Sequence, residues 1–149
     1  MMLKIKEFSE LNLPSSSEKQ ELIDFLFNHL EEFGDPWSDI EKSIDFALKI
    51  GHSFGGFILE AIEDGQIVCA IVLNQTGMKD YIPENILVYI ATHKEKRGRG
   101  YAKVLLQQAI NKADGNIALH VEPNNPAKFL YEKLGFTNKY LEMRHLKKR

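Results

Sequence analysis

The sequence predicts a mixed α/β (α+β) fold in a single domain spanning residues 1–149. Three observations support this. The chain is short, at 149 residues. Two aliphatic runs flank Asp64-Gly65, a dipeptide typical of a tight β-hairpin. After the hairpin, aliphatic runs alternate with segments whose apolar residues recur at helical spacing. The expected order is helices first, an antiparallel hairpin, then strand-helix-strand-helix-strand.

The first third of the chain predicts one strand and two helices. Residues 3–8 partly alternate between apolar and polar, as a strand does. Ser17 and Gln20 have the spacing of a capping box and predict the start of the first helix, which Gly34 is expected to end. A second helix is expected over about residues 35–51.

The rest of the chain predicts a sheet with interleaved helices. The helix after residue 100 has the clearest period, with apolar residues at i, i+3, i+4, i+7, i+8 and i+11, namely Ala102, Leu105, Leu106, Ala109, Ile110 and Ala113. The other elements are expected, in chain order, as strands 57–63, 66–73, 86–91 and 117–121, helix 126–134 and strand 136–146.

Composition excludes several classes of function. A formal net charge of −2 gives the whole molecule no electrostatic footprint for nucleic acid. The N-terminus lacks the apolar core of a signal peptide, and no apolar run approaches the ~20 residues that span a bilayer. We therefore expect a cytoplasmic protein with no membrane partner.

Cysteine and histidine usage predicts neither a disulfide nor a metal site. Cys69 is the only cysteine and lies in an aliphatic run, where a thiol is expected to be buried and inert. His29 and His52 lack the spacing of metal ligands, so no metal is expected.

A glycine-rich turn precedes the third long helix. It reads Arg97-Gly98-Arg99-Gly100, and it combines unpaired helix-start N–H groups with glycine flexibility and positive charge, which suits a phosphate group. The Walker pattern is absent, and a dinucleotide-binding loop would need Gly or Ala where Lys103 stands, which disfavours a nucleotide-binding protein. The pattern Arg/Gln-x-x-Gly-x-Gly/Ala is complete from Arg97 to Ala102.

A second motif lies about thirty residues further on. Residues 124–136 read Asn-Asn-Pro-Ala-Lys-Phe-Leu-Tyr-Glu-Lys-Leu-Gly-Phe. Together, the two motifs resemble those of the GNAT superfamily of acyl-CoA-dependent N-acyltransferases. The resemblance covers roughly residues 57–146, and the earlier residues fit the two variable helices of that family.

The resemblance implies a GNAT fold, which is a twisted, mostly antiparallel sheet with two splayed parallel strands and flanking helices. The splayed strands would be 86–92 and 117–121. The backbone of the first strand would hydrogen-bond the pantetheine arm of coenzyme A. The backbone N–H groups of the glycine loop would hold the diphosphate, with its two arginines adding charge, and either Asn124 or Asn125 would be the asparagine that contacts coenzyme A. These candidates are Ile90, Ala91, Thr92, Arg97, Gly98, Arg99, Gly100, Tyr101, Ala102, Asn124 and Asn125.

The resemblance also implies catalytic roles. Tyr131 matches the tyrosine that protonates the departing thiolate of coenzyme A. An amine acceptor is mostly protonated at neutral pH and must lose a proton before attack. Glu84 and His120 are level candidates for the base, followed by Glu122.

The expected function is transfer of an acetyl group from acetyl-CoA to a primary amine by direct attack in a ternary complex. The alternative is a non-catalytic acyl-CoA-binding module of the same fold. Trp37 could stack on an acceptor or pack in the core, and Asp35 and Asp39 could attract a cationic amine or cap helices. The sequence does not identify the acceptor, the acyl chain beyond acetyl or whether the enzyme is active. A homodimer is expected from the family resemblance alone.

Overall fold

The structure is a computed structural model that describes residues 3–147. These residues form two compact units, residues 3–119 and residues 120–147.

The first unit contains a five-stranded sheet and three α-helices. The strands lie in chain order across the sheet, antiparallel from the first to the fourth and parallel between the fourth and fifth. This confirms the predicted α/β class and mostly antiparallel sheet. The strands are β1 (Leu3–Phe8), β2 (Gly56–Glu63), β3 (Gln66–Gln75), β4 (Asn85–Thr92) and β5 (Ile117–Leu119). The helices are α1 (Ser16–His29), α2 (Trp37–Ala47) and α3 (Tyr101–Lys112).

The start of α1 differs from the prediction by two residues. Ser15, not Ser17, is the N-cap: its hydroxyl accepts from the N–H of Glu18, and the Glu18 carboxylate accepts from the N–H of Ser15. Each serine is followed three positions later by an acidic or amide residue, so the local pattern does not show which of the two is the N-cap. A tertiary contact favours Ser15, because Lys6 of β1 forms an ion pair with Glu18 at 2.9 Å.

The predicted hairpin between β2 and β3 is confirmed. Asp64 and Gly65 have φ angles of 52° and 76°, the left-handed conformation that a two-residue hairpin turn requires. Cys69 is fully buried in β3, as expected, and burial raises its pKa to about 11. The thiol is therefore a small apolar side chain of the core.

Helices cover both faces of the sheet. Ala70 and Val72 of β3 belong to a core cluster with α1 and α2, whereas the intervening Ile71 points to the other face. α3 packs against β2, β3 and β4. Its predicted inward face is confirmed at its centre, where Leu105, Leu106 and Ala109 are buried, while Ala102, Ile110 and Ala113 are only half-buried.

The second unit contains one helix, α4 (Ala127–Lys133). The predicted final strand is wrong: residues 136–147 form no strand, and Tyr140, Leu141 and Met143 are exposed. The strand predicted at 117–121 ends at Leu119. A strand depends on a paired neighbour rather than on its own pattern, so apolar alternation alone does not produce one.

Candidate coenzyme A site

The fourth and fifth strands are paired at one end only. Asn85, Ile86 and Leu87 pair in parallel with β5, and the Asn85 amide also donates to the carbonyls of Asp114 and Asn116 at 2.9 and 3.2 Å. Beyond Leu87, no strand of residues 3–147 pairs with this edge of β4. A free backbone edge therefore begins where the two strands separate.

A β-bulge marks the point of separation. Leu87 pairs with Leu73 and Tyr89 pairs with Val72, which leaves Val88 without a partner on β3. Ile90, Ala91 and Thr92 follow on the free edge. Unpaired backbone groups at a strand edge can accept an extended chain of amides, as in β-strand addition.

The glycine loop lies directly beyond this edge. Gly98 and Gly100 have φ angles of 78° and 83°, and a Cβ atom on either would meet nothing within 4 Å. The requirement for glycine is therefore conformational, and the space above the loop is open. Gly100 is the N-cap residue of α3, and residues 97–100 are all exposed.

The amides of this loop are available to a ligand. The first intrahelical bond of α3 runs from the N–H of Val104 to the carbonyl of Gly100. Within the described part of the chain, the N–H groups of Gly98, Arg99 and Gly100 donate to no protein acceptor. Several unpaired N–H groups at the positive end of a helix suit a diphosphate, so these residues fit coenzyme A.

The two arginines of the loop have different surroundings. The Arg97 guanidinium donates to the carbonyls of His29 and Thr92 and forms an ion pair with Glu31 at 2.9 Å. Arg99 forms no ion pair with a carboxylate among residues 3–147. Glu63 raises the pKa of the Tyr101 hydroxyl, and the nearby Arg99 opposes this effect. Arg99 is the more available of the two cations.

Sequence reasoning missed a carboxylate beside this loop. Glu63, at the end of β2, accepts a hydrogen bond from the Tyr101 hydroxyl, and its other oxygen lies 3.5 Å from Nζ of Lys96. The Tyr101 hydroxyl and then Lys96 lower the pKa of the Glu63 carboxyl. No local sequence motif marks Glu63, because both of its partners are more than thirty residues away in the sequence.

Glu84, a predicted base, has both carboxylate oxygens engaged. One accepts from the N–H of Asn116 at 2.7 Å and the other from the N–H of Asp80 at 2.8 Å. These backbone donors, Asn116 first, lower the pKa of the carboxyl. Gly115 has a φ of +97°, and a Cβ there would lie 2.2 Å from a Glu84 oxygen. The arrangement ties two turns together at the start of β4.

The second unit carries the other predicted site residues. Tyr131 lies in α4 and is buried, with its ring centroid 5.8 Å from that of Phe136. The Asn125 side-chain oxygen accepts from the N–H of Ala127, the first residue of α4, at 2.9 Å, whereas Asn124 is exposed. His120 is exposed, as is Glu122, and both follow the end of β5 rather than sharing a strand face.

The residues considered for an acceptor make defined contacts in the first unit. The Trp37 indole donates to Asp24 at 2.8 Å. The Tyr89 hydroxyl donates to Asp35 at 2.5 Å, and burial followed by this bond raises the pKa of Tyr89. Asp39 lies 3.7 Å from Nζ of Lys42. Tyr89 directly follows the bulge at Val88. No sequence motif predicts its hydrogen bond with Asp35, which is 54 residues away.

Two kinds of feature are absent from residues 3–147. No helix there has the length and apolar content needed to cross a bilayer. No group of three or more His, Cys, Asp or Glu side chains there is arranged to hold a metal.

Comparison with known proteins decides the family. The model of the acetyltransferase (GNAT) family matches residues 22–136, which is more than half of the chain. The chain belongs to the GNAT acetyltransferase family. No curated protein sequence matches it. As a GNAT protein it is an acyltransferase, and its predicted resemblance to this family is confirmed.

Solved structures share the GNAT fold at low identity. The aminoglycoside N-acetyltransferase AAC(6')-Iy in complex with CoA is 17% identical, with a TM-score of 0.71 over 99% of this chain and 96% of that one. A ribosomal-protein-alanine N-acetyltransferase from Brucella melitensis biovar Abortus 2308 is 17% identical, with a TM-score of 0.68 over 98% and 99%. A predicted acetyltransferase with acetyl-CoA from Clostridium acetobutylicum is 18% identical, with a TM-score of 0.67 over 96% of each chain.

Proposed function

We propose that this GNAT protein transfers an acetyl group from acetyl-CoA to a primary amine by direct attack in a ternary complex. The observation that carries the proposal is the free edge of β4 leading into a loop of exposed, unpaired amides. Two structural neighbours were solved with CoA or acetyl-CoA, which supports the same cosubstrate here.

In this proposal the first unit binds the cosubstrate. The N–H groups from Gly98 to Ala102 hold the diphosphate, Arg99 adds charge, and Arg97 contributes from its place beside α1. The pantetheine arm lies along Ile90, Ala91 and Thr92 like an added strand. A backbone N–H of β4 stabilises the oxyanion that develops during attack.

The reaction needs two proton transfers. The amine nitrogen attacks the thioester carbon, the carbon–sulfur bond breaks, and sulfur leaves with the electron pair. Tyr131 donates a proton to that sulfur, and a base takes one from the amine. His120 and Glu122 are the stronger candidates for the base, because two backbone donors occupy the Glu84 carboxylate and stabilise its ionised form. Asn124 and Asn125 remain alternative ligands for coenzyme A.

The cellular setting belongs to the proposal as well. We place the protein in the cytoplasm as a single domain acting without metal, with an acyl-CoA and a small amine or peptide amine as partners. A homodimer is the expected assembly.

An acceptor panel tests the function. The purified protein is incubated with acetyl-CoA and polyamines, amino acids, aminoglycosides or peptides with an N-terminal alanine, and released thiol is measured. The last two classes follow from the named neighbours. Acceptor-dependent thiol release supports the proposal. Binding of CoA without release from any acceptor would favour the non-catalytic module, and absence of CoA binding would overturn both readings.

A further inference from the structure

One buried carboxylate contacts both flanks of the diphosphate loop. The loop is residues 97–100. Lys96 precedes it and Tyr101 follows it, and each contacts a different oxygen of Glu63. Glu63 is only 6% exposed and ends β2, a strand paired on both sides with β1 and β3. The carboxylate therefore lies on a rigid part of the sheet.

A carboxylate next to a site for an anion needs an explanation. On its own it would repel a diphosphate, and burial of an unpaired charge is costly. Here its charge is balanced by Lys96 and by the nearby Arg99, and its oxygens are hydrogen-bonded. The repulsion is thereby reduced, while the geometric restraint on the loop remains.

The loop itself has little internal restraint. Gly98 and Gly100 both adopt positive φ, and glycine loses more backbone freedom on ordering than any other residue. If the loop becomes ordered only when a ligand binds, the free-energy cost of ordering it reduces the affinity for that ligand. Contacts that hold both ends in advance reduce this cost.

We propose that Glu63 is a positioning residue that pre-orders the diphosphate loop through Lys96 and Tyr101. The inference rests on the proposed function, since the loop is taken to bind the diphosphate of coenzyme A. Tyr101 transmits the restraint directly, because it is the first residue of α3 and follows the loop without a break. The N–H of a first helical residue has no partner within the helix. Lys96 restrains the other flank.

The test uses Tyr101→Phe, Glu63→Gln and Glu63→Ala in the full chain. Tyr101→Phe keeps the ring and backbone but removes the hydroxyl. Glu63→Gln keeps an acceptor for that hydroxyl but removes the charge opposite Lys96. Two surface changes serve as matched controls: Glu7→Gln, which breaks an exposed ion pair with Lys112, and Tyr140→Phe, at an exposed position.

Two measurements are made on each protein. Titration calorimetry gives the Kd for CoA, which we expect to rise about tenfold in Tyr101→Phe and Glu63→Ala, less in Glu63→Gln, and not in the controls. Backbone ¹⁵N relaxation of the free proteins gives order parameters, which we expect to fall at Gly98 and Gly100 in Tyr101→Phe and Glu63→Ala only. A purely structural role would lower the melting temperature and leave both quantities unchanged.

The outcomes separate the two proposals. Suppose wild type binds CoA, and Tyr101→Phe binds it equally well with unchanged order parameters. The positioning role is then overturned and the proposed function stands. If wild type itself binds no CoA, the proposed function fails and the positioning role fails with it. Tyr101→Phe removes a single oxygen atom, so the test does not depend on whether Glu63→Ala folds.

Discussion

Arg97 holds the end of α1, because its guanidinium donates to the backbone carbonyl of His29 across 3.0 Å. His29 is the last residue of that helix, where unpaired carbonyls and the helix dipole favour a cation. A second bond to Thr92 and the ion pair with Glu31 complete the arrangement. The side chain expected to bind diphosphate thus also links the first helix to the loop.

The two arginines should therefore differ on replacement by alanine. We expect Arg99→Ala to raise the Kd for CoA by about tenfold or more, through loss of a charge-assisted contact. Arg97→Ala should have the smaller effect on Kd but lower the free energy of unfolding by about 1 kcal/mol. Calorimetry with CoA and urea unfolding measure the two quantities. Equal losses of affinity with no loss of stability in Arg97→Ala would contradict this division.

Gly100→Val should abolish CoA binding, because a β-branched residue is strained at a φ of +83° and its side chain would occupy the open space above the loop. Gly51→Val is a matched control. Gly51 has a φ of +86°, its Cβ would likewise meet nothing within 4 Å, and it lies outside the loop. Both variants should lose stability in thermal melts, but only Gly100→Val should lose CoA binding. Retained binding by Gly100→Val would count against the loop as the diphosphate site.

Tyr131→Phe should lower kcat by about a hundredfold while changing the Kd for CoA less than threefold, since removing a general acid affects chemistry more than binding. Acceptor-dependent thiol release and calorimetry measure the two effects. Tyr140→Phe is the control, because that side chain is 79% exposed. An unchanged kcat in Tyr131→Phe would show that another group protonates the thiolate.

Glu60 should make the protein less stable as pH rises from about 4.5 to just above 7. It is buried in β2 with one oxygen unpartnered, and burial raises its pKa to about 7 despite the opposing charge of Lys6. Because the folded pKa lies above the unfolded value of 4.5, the unfolded state loses its proton first as pH rises. Stability contributed by the protonated form is complete below about pH 4.5 and is lost as pH rises through about 7.

Glu60→Gln removes this titration. Relative to wild type, its free energy of unfolding should increase by about 3 kcal/mol between pH 4.5 and pH 8, as measured by urea unfolding across that range. Glu32→Gln, at an exposed position, should show no such trend. A difference between Glu60→Gln and wild type that does not vary with pH would refute the burial argument.

Features of short range were predictable from the sequence. The Asp64-Gly65 turn is specified by two residues, and the α3 core by a period read within one helix. The loop from Arg97 to Ala102 is predictable because its glycines and the start of α3 are contiguous in the sequence. Ser15 and Ser17 show the limit of this reasoning, because two equivalent patterns overlap and a contact with Lys6 favours one.

The sequence by itself determined the α/β class, the hairpin, the position of the glycine loop and the family motifs, because each depends on residues within about a dozen positions of one another. Tertiary structure decided what those residues touch: Arg97 reaches α1, Glu63 reaches Tyr101 from 38 positions away, and Glu84 binds two turns. It also decided that residues 136–147 form no strand. Strand pairing and burial bring together residues that are far apart in the sequence. A local sequence pattern does not specify which of these distant residues will be in contact.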